Sequence, residues 1–105
     1  MVLTHILTDT REQALNCIEI LLSKKLLLDA TISEKTTYSK NETSGKLESK
    51  SNVLIIGRTK ALLFQSIDQE LKKSYPKNMP GLYAVPIVYM NEDQSDEIRD
   101  KTAKI

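Results

Sequence analysis

The four consecutive residues Val53-Leu54-Ile55-Ile56 constrain the fold of this chain more than any other segment. They lie within a stretch, Lys46 to Thr59, that reads as a strand, and successive strand residues point to opposite faces of a sheet. An apolar residue at every position therefore predicts a central strand with apolar groups on both faces. Any fold of the chain must cover both sides of this strand.

The segments around this strand alternate between strand and helix patterns. A strand is predicted at Val2 to Thr8 and another at Leu27 to Tyr38, which is followed by a polar hairpin tip at Ser39 to Gly45. The last strand runs from Leu82 to Met90. It contains Pro86, which cannot donate to a ladder and therefore belongs on an edge or at a bulge.

Two amphipathic helices separate these strands. The first follows Asp9 or Thr10, either of which can supply the N-cap oxygen, and Glu12 stands three residues after Asp9 as in a capping box. Its predicted inward residues are Ala14, Ile18, Leu21 and Leu22. The second helix runs from Lys60 to about Ser74 with Thr59 as its cap. Its predicted inward residues are Leu63, Phe64, Ile67 and Leu71.

The resulting order is β-α-β-β-α-β, followed by a short charged helix after Asn91. This order is typical of the α+β, ferredoxin-like βαββαβ sandwich, in which two helices cover one face of a four-stranded antiparallel sheet. A chain of 105 residues is long enough for one core of ordinary size, so we expect a single domain over residues 1–105.

Two helices can cover only one face of this sheet, although apolar residues are predicted on both faces. Soluble monomers rarely expose a contiguous apolar patch larger than roughly a few hundred Å². An open apolar face on this sheet would be larger, so the pattern predicts a homo-oligomer. The alternative is that the C-terminal helix folds across the second face and leaves a monomer. That helix has Ile98 as its main internal apolar residue and is too polar to cover the face alone.

Charge and composition narrow the function classes. The chain has 15 Lys and Arg residues against 14 Asp and Glu, which favours no nucleic acid partner. No apolar stretch is long enough to cross a bilayer, and the N-terminus passes directly into a strand without a secretion signal. Cys17 is the single cysteine, so no internal disulfide can form. We therefore expect a cytoplasmic protein with neither a nucleic acid nor a membrane partner.

The sequence has no recognisable catalytic or metal-binding motif, including the phosphate-binding loops, the nucleophile elbow and the zinc motifs. We therefore expect no enzymatic activity. The single histidine, His5, lies in the first strand, where a structural or interface role is favoured over metal ligation. Cys17 lies among apolar helix residues and is predicted to fill space rather than react. The acidic residues after Asn91 favour a solvated helix over a cation site.

Several short motifs, in consistent order along nearly the whole chain, resemble the CutA divalent-cation tolerance family. Lys25-Leu26-Leu27-Leu28-Asp29-Ala30-Thr31-Ile32 is similar to the family's Arg-Leu-Ala-Ala-Cys-Val-Asn-Ile, and Gly45-Lys46-Leu47-Glu48 is similar to Gly-Lys-Ile-Glu. Arg58-Thr59 resembles Lys-Thr, the segment Tyr75 to Gly81 resembles His-Pro-Tyr-x-x-Pro-Glu, and Val85-Pro86-Ile87 resembles Leu-Pro-Val. The resemblance implies a homotrimer of ferredoxin-like subunits, related in architecture to the PII signalling proteins. It also implies a role linked to divalent metals, with copper as the candidate cofactor.

The chain departs from the family at the positions credited with ligand binding. The family's cysteine, asparagine, histidine, tyrosine and glutamate correspond here to Asp29, Thr31, Tyr75, Lys77 and Gly81. The family's hairpin tryptophan is also missing, since the chain has no Trp. A soft or borderline cation therefore loses its principal thiolate and imidazole ligands.

The remaining candidate site is a group of polar and aromatic residues: Tyr38, Lys46, Glu48, Arg58, Tyr75, Lys77 and Tyr83. In the implied trimer, the hairpin and the Tyr-Pro-Lys loop lie near clefts between subunits, where such groups can hold a small anion or nucleotide. The alternative is that Tyr75 packs at a helix end and the charged residues form salt bridges between subunits. We therefore predict a non-enzymatic, CutA-like trimer with a divalent-cation tolerance, response or signalling role. A PII-like sensor of a nucleotide or small anion is the alternative.

Overall fold

The computed structural model describes residues 1–104 and has the predicted βαββαβ order, followed by a terminal helix. The elements are β1 (Val2–Thr8), α1 (Arg11–Ser23), β2 (Asp29–Lys40), β3 (Leu47–Thr59), α2 (Phe64–Ser74), β4 (Gly81–Pro86) and α3 (Glu92–Lys101). The strands form one antiparallel sheet in the order β2-β3-β1-β4. The predicted ferredoxin-like α+β fold is confirmed.

The core lies between the sheet and helices α1 and α2. Ile6 of β1 and Ile55 of β3 are register partners, and both are completely buried in this cluster. The helices contribute five side chains that are equally inaccessible: Ala14, Cys17, Leu21, Ile67 and Leu71. Both helices therefore cover the same face of the sheet, and Cys17 fills space in the core as predicted.

The N-terminus of α1 is capped by Thr10. Its Oγ1 accepts a hydrogen bond from the Gln13 N–H at 3.1 Å, and Gln13 Oε1 accepts one from the Asp9 N–H at 3.1 Å. The predicted capping box of Asp9 and Glu12 is therefore wrong, because Gln13 is the residue that lies three positions after the true cap. The hydrogen bonds of Gln13 tie the end of β1 to the start of the helix.

The buried stripe of α1 is narrower than predicted. It runs through Ala14, Cys17 and Leu21 at helical spacing, and Ile18 packs partly against the core. The predicted inward position of Leu22 is wrong, and this residue is 38% exposed. Leu22 follows Leu21 directly and so lies about 100° further round the helix, away from the sheet.

Helix α1 ends in a Schellman motif with a lysine in the left-handed position. The Lys25 N–H donates to the Leu22 carbonyl at 3.0 Å, and the Leu26 N–H donates to the Leu21 carbonyl at 2.9 Å. Lys25 has a φ of 56°, a conformation that normally favours glycine. This reversal leads the chain directly back towards the sheet.

Thr59 does not cap the second helix, contrary to prediction. Its Oγ1 instead donates to the Leu26 carbonyl at 2.6 Å, in a buried hydrogen bond. Helix α2 is preceded by a 3-10 turn, Ala61–Leu63, whose cap residue Lys60 makes no side-chain cap bond. The Thr59 hydroxyl binds the Leu26 carbonyl instead of the helix, because leaving this buried carbonyl without a hydrogen-bond donor would lower the stability of the fold.

Three strands differ from their predicted bounds, and β3 does so by one residue, since it begins at Leu47 and not at Lys46. Strand β2 begins at Asp29, later than the predicted Leu27, and ends at Lys40, so the predicted start of the hairpin tip at Ser39 is wrong. Strand β4 ends at Pro86 and not at Met90, because Pro86 pairs with Val2, the first residue of β1, and no strand continues beyond it. Strand β4 is an edge strand, which confirms the predicted edge position of Pro86.

Strands β2 and β3 continue past the rest of the sheet as a hairpin arm, residues 35–52. Strand β1 ends at Thr8, opposite Val53, so no third strand lies beside the arm. At about 3.3 Å per residue, the six pairs of the arm project by roughly 20 Å, and the molecule is 50 Å long in its largest dimension. At the tip, Asn41 Oδ1 accepts the N–H groups of Thr43 and Ser44, each at 2.9 Å.

Helix α3 starts after Asn91, whose Oδ1 accepts the Gln94 N–H at 3.2 Å. It contacts β3 and buries Ile98 completely, and Lys60 Nζ donates to the Ala103 carbonyl at 3.0 Å beyond its end. The predicted charged C-terminal helix is confirmed. Within residues 1–104, no helix combines the length and the apolar content that a bilayer crossing requires.

Candidate functional site

The sheet face opposite α1 and α2 is only partly buried by residues 1–104. We call it the open sheet face, and its residues on β1, β3 and β4 are Leu3, His5, Leu7, Leu54, Ile56, Arg58, Tyr83 and Val85. None of them is fully buried, and Tyr83 and Val85 are 54% and 39% exposed. Helix α3 contacts β3, but every one of these residues stays partly accessible, so this helix does not bury the face.

His5 lies at the centre of the open sheet face and stacks on Tyr83. The two ring centroids are 4.9 Å apart with an interplanar angle of 31°, a tilted arrangement within the range that aromatic pairs prefer. His5 Nδ1 is shielded from solvent and has no hydrogen-bond partner among residues 1–104. Within these residues His5 packs against Tyr83 and belongs to no group of three or more possible metal ligands.

Asp29 and Arg58 form an ion pair at one end of the same face. They are register partners on β2 and β3, and Arg58 Nε donates to Asp29 Oδ1 at 3.0 Å while Nη2 donates to Oδ2. The hydrogen bonds to the carboxylate raise the pKa of the Arg58 guanidinium. Each carboxylate oxygen of Asp29 therefore already accepts one hydrogen bond from Arg58.

The hairpin arm carries three of the predicted site residues, Tyr38, Lys46 and Glu48. All three are exposed, and Tyr38 is 65% accessible. Glu48 Oε2 accepts a weak hydrogen bond from Asn41 Nδ2 at 3.4 Å, and this is the one polar contact that the three side chains make within residues 1–104. The arm presents them to solvent rather than to a pocket of the same chain.

Tyr75 and Lys77 follow α2, and Tyr75 lines a cavity of about 500 Å³ that also includes Asp9. Tyr75 is the C-cap residue of α2 and packs partly against the core, and its hydroxyl accepts a hydrogen bond from Asn16 Nδ2. Lys77 is exposed in the following loop. The structure therefore divides the predicted site into three places: the arm, the open sheet face with Arg58 and Tyr83, and this helix end.

Three cavities of about 320, 280 and 500 Å³ open near the foot of the arm, and Asp9 lines all of them. The walls include Gln13, Lys50, Asn52 and Asn78, which sequence reasoning did not select. These residues come from α1, β3 and the loop before β4. They lie close together because β1 ends at Thr8 while β3 continues, and no sequence motif indicates that arrangement.

The residues of one chain do not fit a closed site for a soft divalent cation. Among residues 1–104, no group of three or more His, Cys, Asp or Glu side chains lies close enough to hold a metal ion. Burial raises the pKa of the Cys17 thiol to about 11, so the thiolate that would bind such a metal is disfavoured at neutral pH. Any metal held by this protein requires ligands from more than one copy of the chain or a looser, oxygen-based site.

Comparison with known proteins agrees with this architecture. The sequence profile of the CutA1 divalent ion tolerance proteins matches residues 2–100. A search of curated protein sequences found no significant match.

Several solved structures superpose on almost the whole chain. A CutA1 mutant from Pyrococcus horikoshii is 23% identical, with 99% of this chain and 100% of that chain covered and a TM-score of 0.86. The periplasmic divalent cation tolerance protein CutA from Archaeoglobus fulgidus is 24% identical, with coverages of 96% and 98% and a TM-score of 0.82. CutA1 from Ehrlichia chaffeensis is 25% identical, with coverages of 98% and 95% and a TM-score of 0.84. These likenesses establish the shared fold, and the profile match extends over nearly all of the sequence, so the chain belongs to the CutA1 divalent ion tolerance family.

Proposed function

We propose that this protein acts as a non-enzymatic homotrimer with a role in divalent-ion tolerance or signalling. The observation that carries the proposal is the open sheet face, on which Leu3, Leu7, Leu54 and Ile56 are only partly buried by residues 1–104 and Tyr83 and Val85 are exposed. Soluble monomers rarely leave so large an apolar surface open. Other copies of the same chain are the simplest partners to cover this face, because they are always present together with it and at the same concentration.

Further apolar groups lie away from this face. Val88 and Tyr89, after β4, are 78% and 93% exposed, and Tyr38 and Leu47 are exposed on the arm. Contacts between unlike surfaces of successive copies generate a ring when the rotation closes. A ring of three is the number that the resemblance to the CutA family implies, and it fits a chain whose apolar surfaces lie at several separate places.

The role in divalent-ion tolerance is proposed from family membership, with the ligand positions altered. Because Asp29 is held by Arg58 and Cys17 is buried, we propose that the role does not depend on a thiolate site built within one chain. The absence of an enzymatic activity is proposed because, in the cavities of residues 1–104, no hydrogen bond joins a lining hydroxyl to a carboxylate or imidazole that could activate it.

The assembly is tested by native mass spectrometry of protein purified without added metal, with a substitution on the open sheet face and a matched control. Val85→Lys places a charge on that face, whereas Leu62→Lys places the same charge at a residue that is 73% exposed and lies outside it. We expect trimers for the wild type and Leu62→Lys, and dissociation for Val85→Lys with an unchanged circular dichroism spectrum. A monomeric wild type would overturn the proposal.

The metal role is tested on the same samples after addition of copper or zinc. Stoichiometric uptake by the trimer that persists in Cys17→Ala and His5→Gln variants would support a site with unrecognised ligands between copies. No uptake would remove metal binding from the proposal and leave a signalling role.

A second candidate function is a PII-like sensor, favoured by the cavities at the foot of the arm. The arm has no neighbouring strand within residues 1–104, so a ligand at its foot could change its order. Hydrogen exchange of the arm amides, measured with and without a nucleotide panel, tests this function. Protection of residues 35–52 by one nucleotide would support a sensor, and unchanged exchange with all of them would contradict it.

A further inference from the structure

The imidazole of His5 stands among mainly apolar side chains at the centre of the open sheet face. It lies directly opposite Ile56 of β3 and Tyr83 of β4. The other side chains next to it on this face are Leu3, Leu7, Leu54, Arg58 and Val85. All of these neighbours are aliphatic except Tyr83 and Arg58. Once water is excluded, surroundings of this kind disfavour the charged form of an imidazole.

The two ring nitrogens of His5 differ in their access to water. Nδ1 is shielded and has no hydrogen-bond partner among residues 1–104, whereas Nε2 is not shielded in this way and the side chain is half-buried. A neutral imidazole keeps one nitrogen as an acceptor, but both nitrogens of the protonated ring are N–H donors. An unpaired donor on a charged ring costs more than an unpaired acceptor on a neutral one. Within a single chain, the charged ring therefore depends on water at Nε2.

No free carboxylate faces His5 from the neighbouring strands. Asp29, the acidic residue at one end of the face, accepts hydrogen bonds from Arg58 Nε at 3.0 Å and from Nη2. These bonds, and to a smaller extent the charge of Glu97 on α3, raise the pKa of Arg58, which stays positive. Arg58 is diagonal to His5 across β1 and β3, at a Cβ separation of about 7–8 Å in such pairs, so it repels a second positive charge there. Tyr83, which stacks on the ring at 4.9 Å, carries no charge at neutral pH.

We propose that His5 makes the assembly sensitive to acid, so that the copies associate while this imidazole is neutral and separate when it is protonated. The inference rests on the proposed homotrimer, in which other copies cover the open sheet face. Covering the face removes the water at Nε2, which the charged ring needs and the neutral ring can lose at smaller cost. Protonation therefore favours the separated chains. Association is complete above the pH range in which histidine titrates and is lost as pH falls through it.

The size of the effect follows from the number of rings that must be neutral. Histidine side chains ordinarily titrate near about pH 6.5, so the neutral fraction is about tenfold smaller at pH 5.5 than at pH 7.5. A trimer requires three neutral rings, and the association constant should fall by about 1,000-fold over this interval. His5 is the only histidine of the chain, so no other imidazole contributes.

The test is the urea concentration at which the trimer dissociates, followed by sedimentation velocity at one fixed protein concentration and at these two pH values. The wild type is compared with His5→Gln and His5→Phe, which are neutral at both values. His5→Phe also keeps an aromatic ring against Tyr83, so it serves if the amide weakens packing on the face. We expect the wild type to dissociate at clearly lower urea at the acidic pH. Both variants should dissociate at nearly the same urea concentration at the two values.

The possible failures of the two proposals differ. A wild type that is already monomeric at the higher pH, without urea, would overturn the homotrimer and this inference with it. A stable trimer whose dissociation shifts equally in the wild type and both variants would overturn this inference alone, because carboxylates would then be responsible. The same holds if acid leaves the wild type unchanged or stabilises it, since the covering copy would then supply an acceptor for Nε2.

Discussion

Replacing Gly57 with alanine should destabilise the protein by about 1–3 kcal/mol, the usual cost of overfilling a packed core. A Cβ at this position would lie 2.6 and 2.8 Å from the two terminal methyl carbons of Leu27 and 3.1 Å from the Asp29 carbonyl oxygen. Carbon atoms pack best at about 3.5–4.0 Å, so Leu27 would have to retreat by roughly 1 Å. Leu27 is 2% exposed, and the Asp29 carbonyl belongs to the β2 backbone, so neither group has free space to move into.

The assay is thermal and urea unfolding followed by circular dichroism, at one fixed protein concentration because self-association makes stability depend on concentration. For a domain of this size, each kcal/mol shifts Tm by roughly 4–8 °C, so the variant should melt between about 4 and 24 °C below the wild type. Gly81→Ala is the matched control, since its Cβ would meet Leu7 Cβ at an ordinary 3.5 Å. Its Tm should change by much less.

Equal Tm values for Gly57→Ala and Gly81→Ala would show that the predicted clash with Leu27 does not destabilise the protein. A second check combines Gly57→Ala with Leu27→Ala. If the clash is the cause, the loss of the Leu27 side chain should cost clearly less in the Gly57→Ala background than in the wild type, because residues in contact are not additive. If the stability losses of Gly57→Ala and Leu27→Ala are additive, a clash between these two residues is not the cause.

Three further predictions concern the C-terminal end and the interior of α1. Lys25→Gly should stabilise the protein by about 1 kcal/mol in urea unfolding, because Lys25 has a φ of 56°, which strains a residue with a Cβ. A loss of stability would show that contacts of the lysine side chain outweigh this backbone strain. Burial raises the pKa of Cys17 to about 11, so iodoacetamide should label the folded protein slowly at neutral pH and the urea-unfolded protein quickly, and rapid native labelling would contradict the buried position. Because the folded pKa lies above the ordinary value of 9.0, the folded state should lose stability as pH rises from 9.0 to about 11, and Cys17→Ala, followed by urea unfolding, should lack this alkaline loss.

The order of the elements could be predicted from the sequence because period and composition are local properties. The apolar run at Val53 to Ile56 identified the central strand, and the stripe of Ile67 and Leu71 identified the inner face of the second helix. The errors arose where a distant partner decides the outcome. Thr59 has the side chain of a good cap, but the carbonyl of Leu26, far away in sequence, takes its hydroxyl.

The candidate site was less predictable than the fold. Tyr38, Arg58 and Tyr75 were selected from motif positions, yet the structure places them on the arm, the open sheet face and a helix end. Asp9 and Lys50, which line a cavity at the foot of the arm, were not selected as site residues, and they meet only because β1 stops while β3 continues. Such a meeting depends on relative strand length, which local patterns define only to within a few residues. Whether the predicted residues form a site between copies stays a prediction.

The strand order β2-β3-β1-β4 also bears on how the chain folds during synthesis. Strands β2 and β3 are joined by a short turn, and a hairpin of this kind can form within about 1–10 μs once both strands are available. Strand β1 is made first but pairs with β3 and β4 only, so its hydrogen bonds wait for residues as distant as Gly81, the partner of Leu7. Because β1 precedes both of its partners in the chain, we expect its apolar residues to stay unpaired until β3 and β4 have been made.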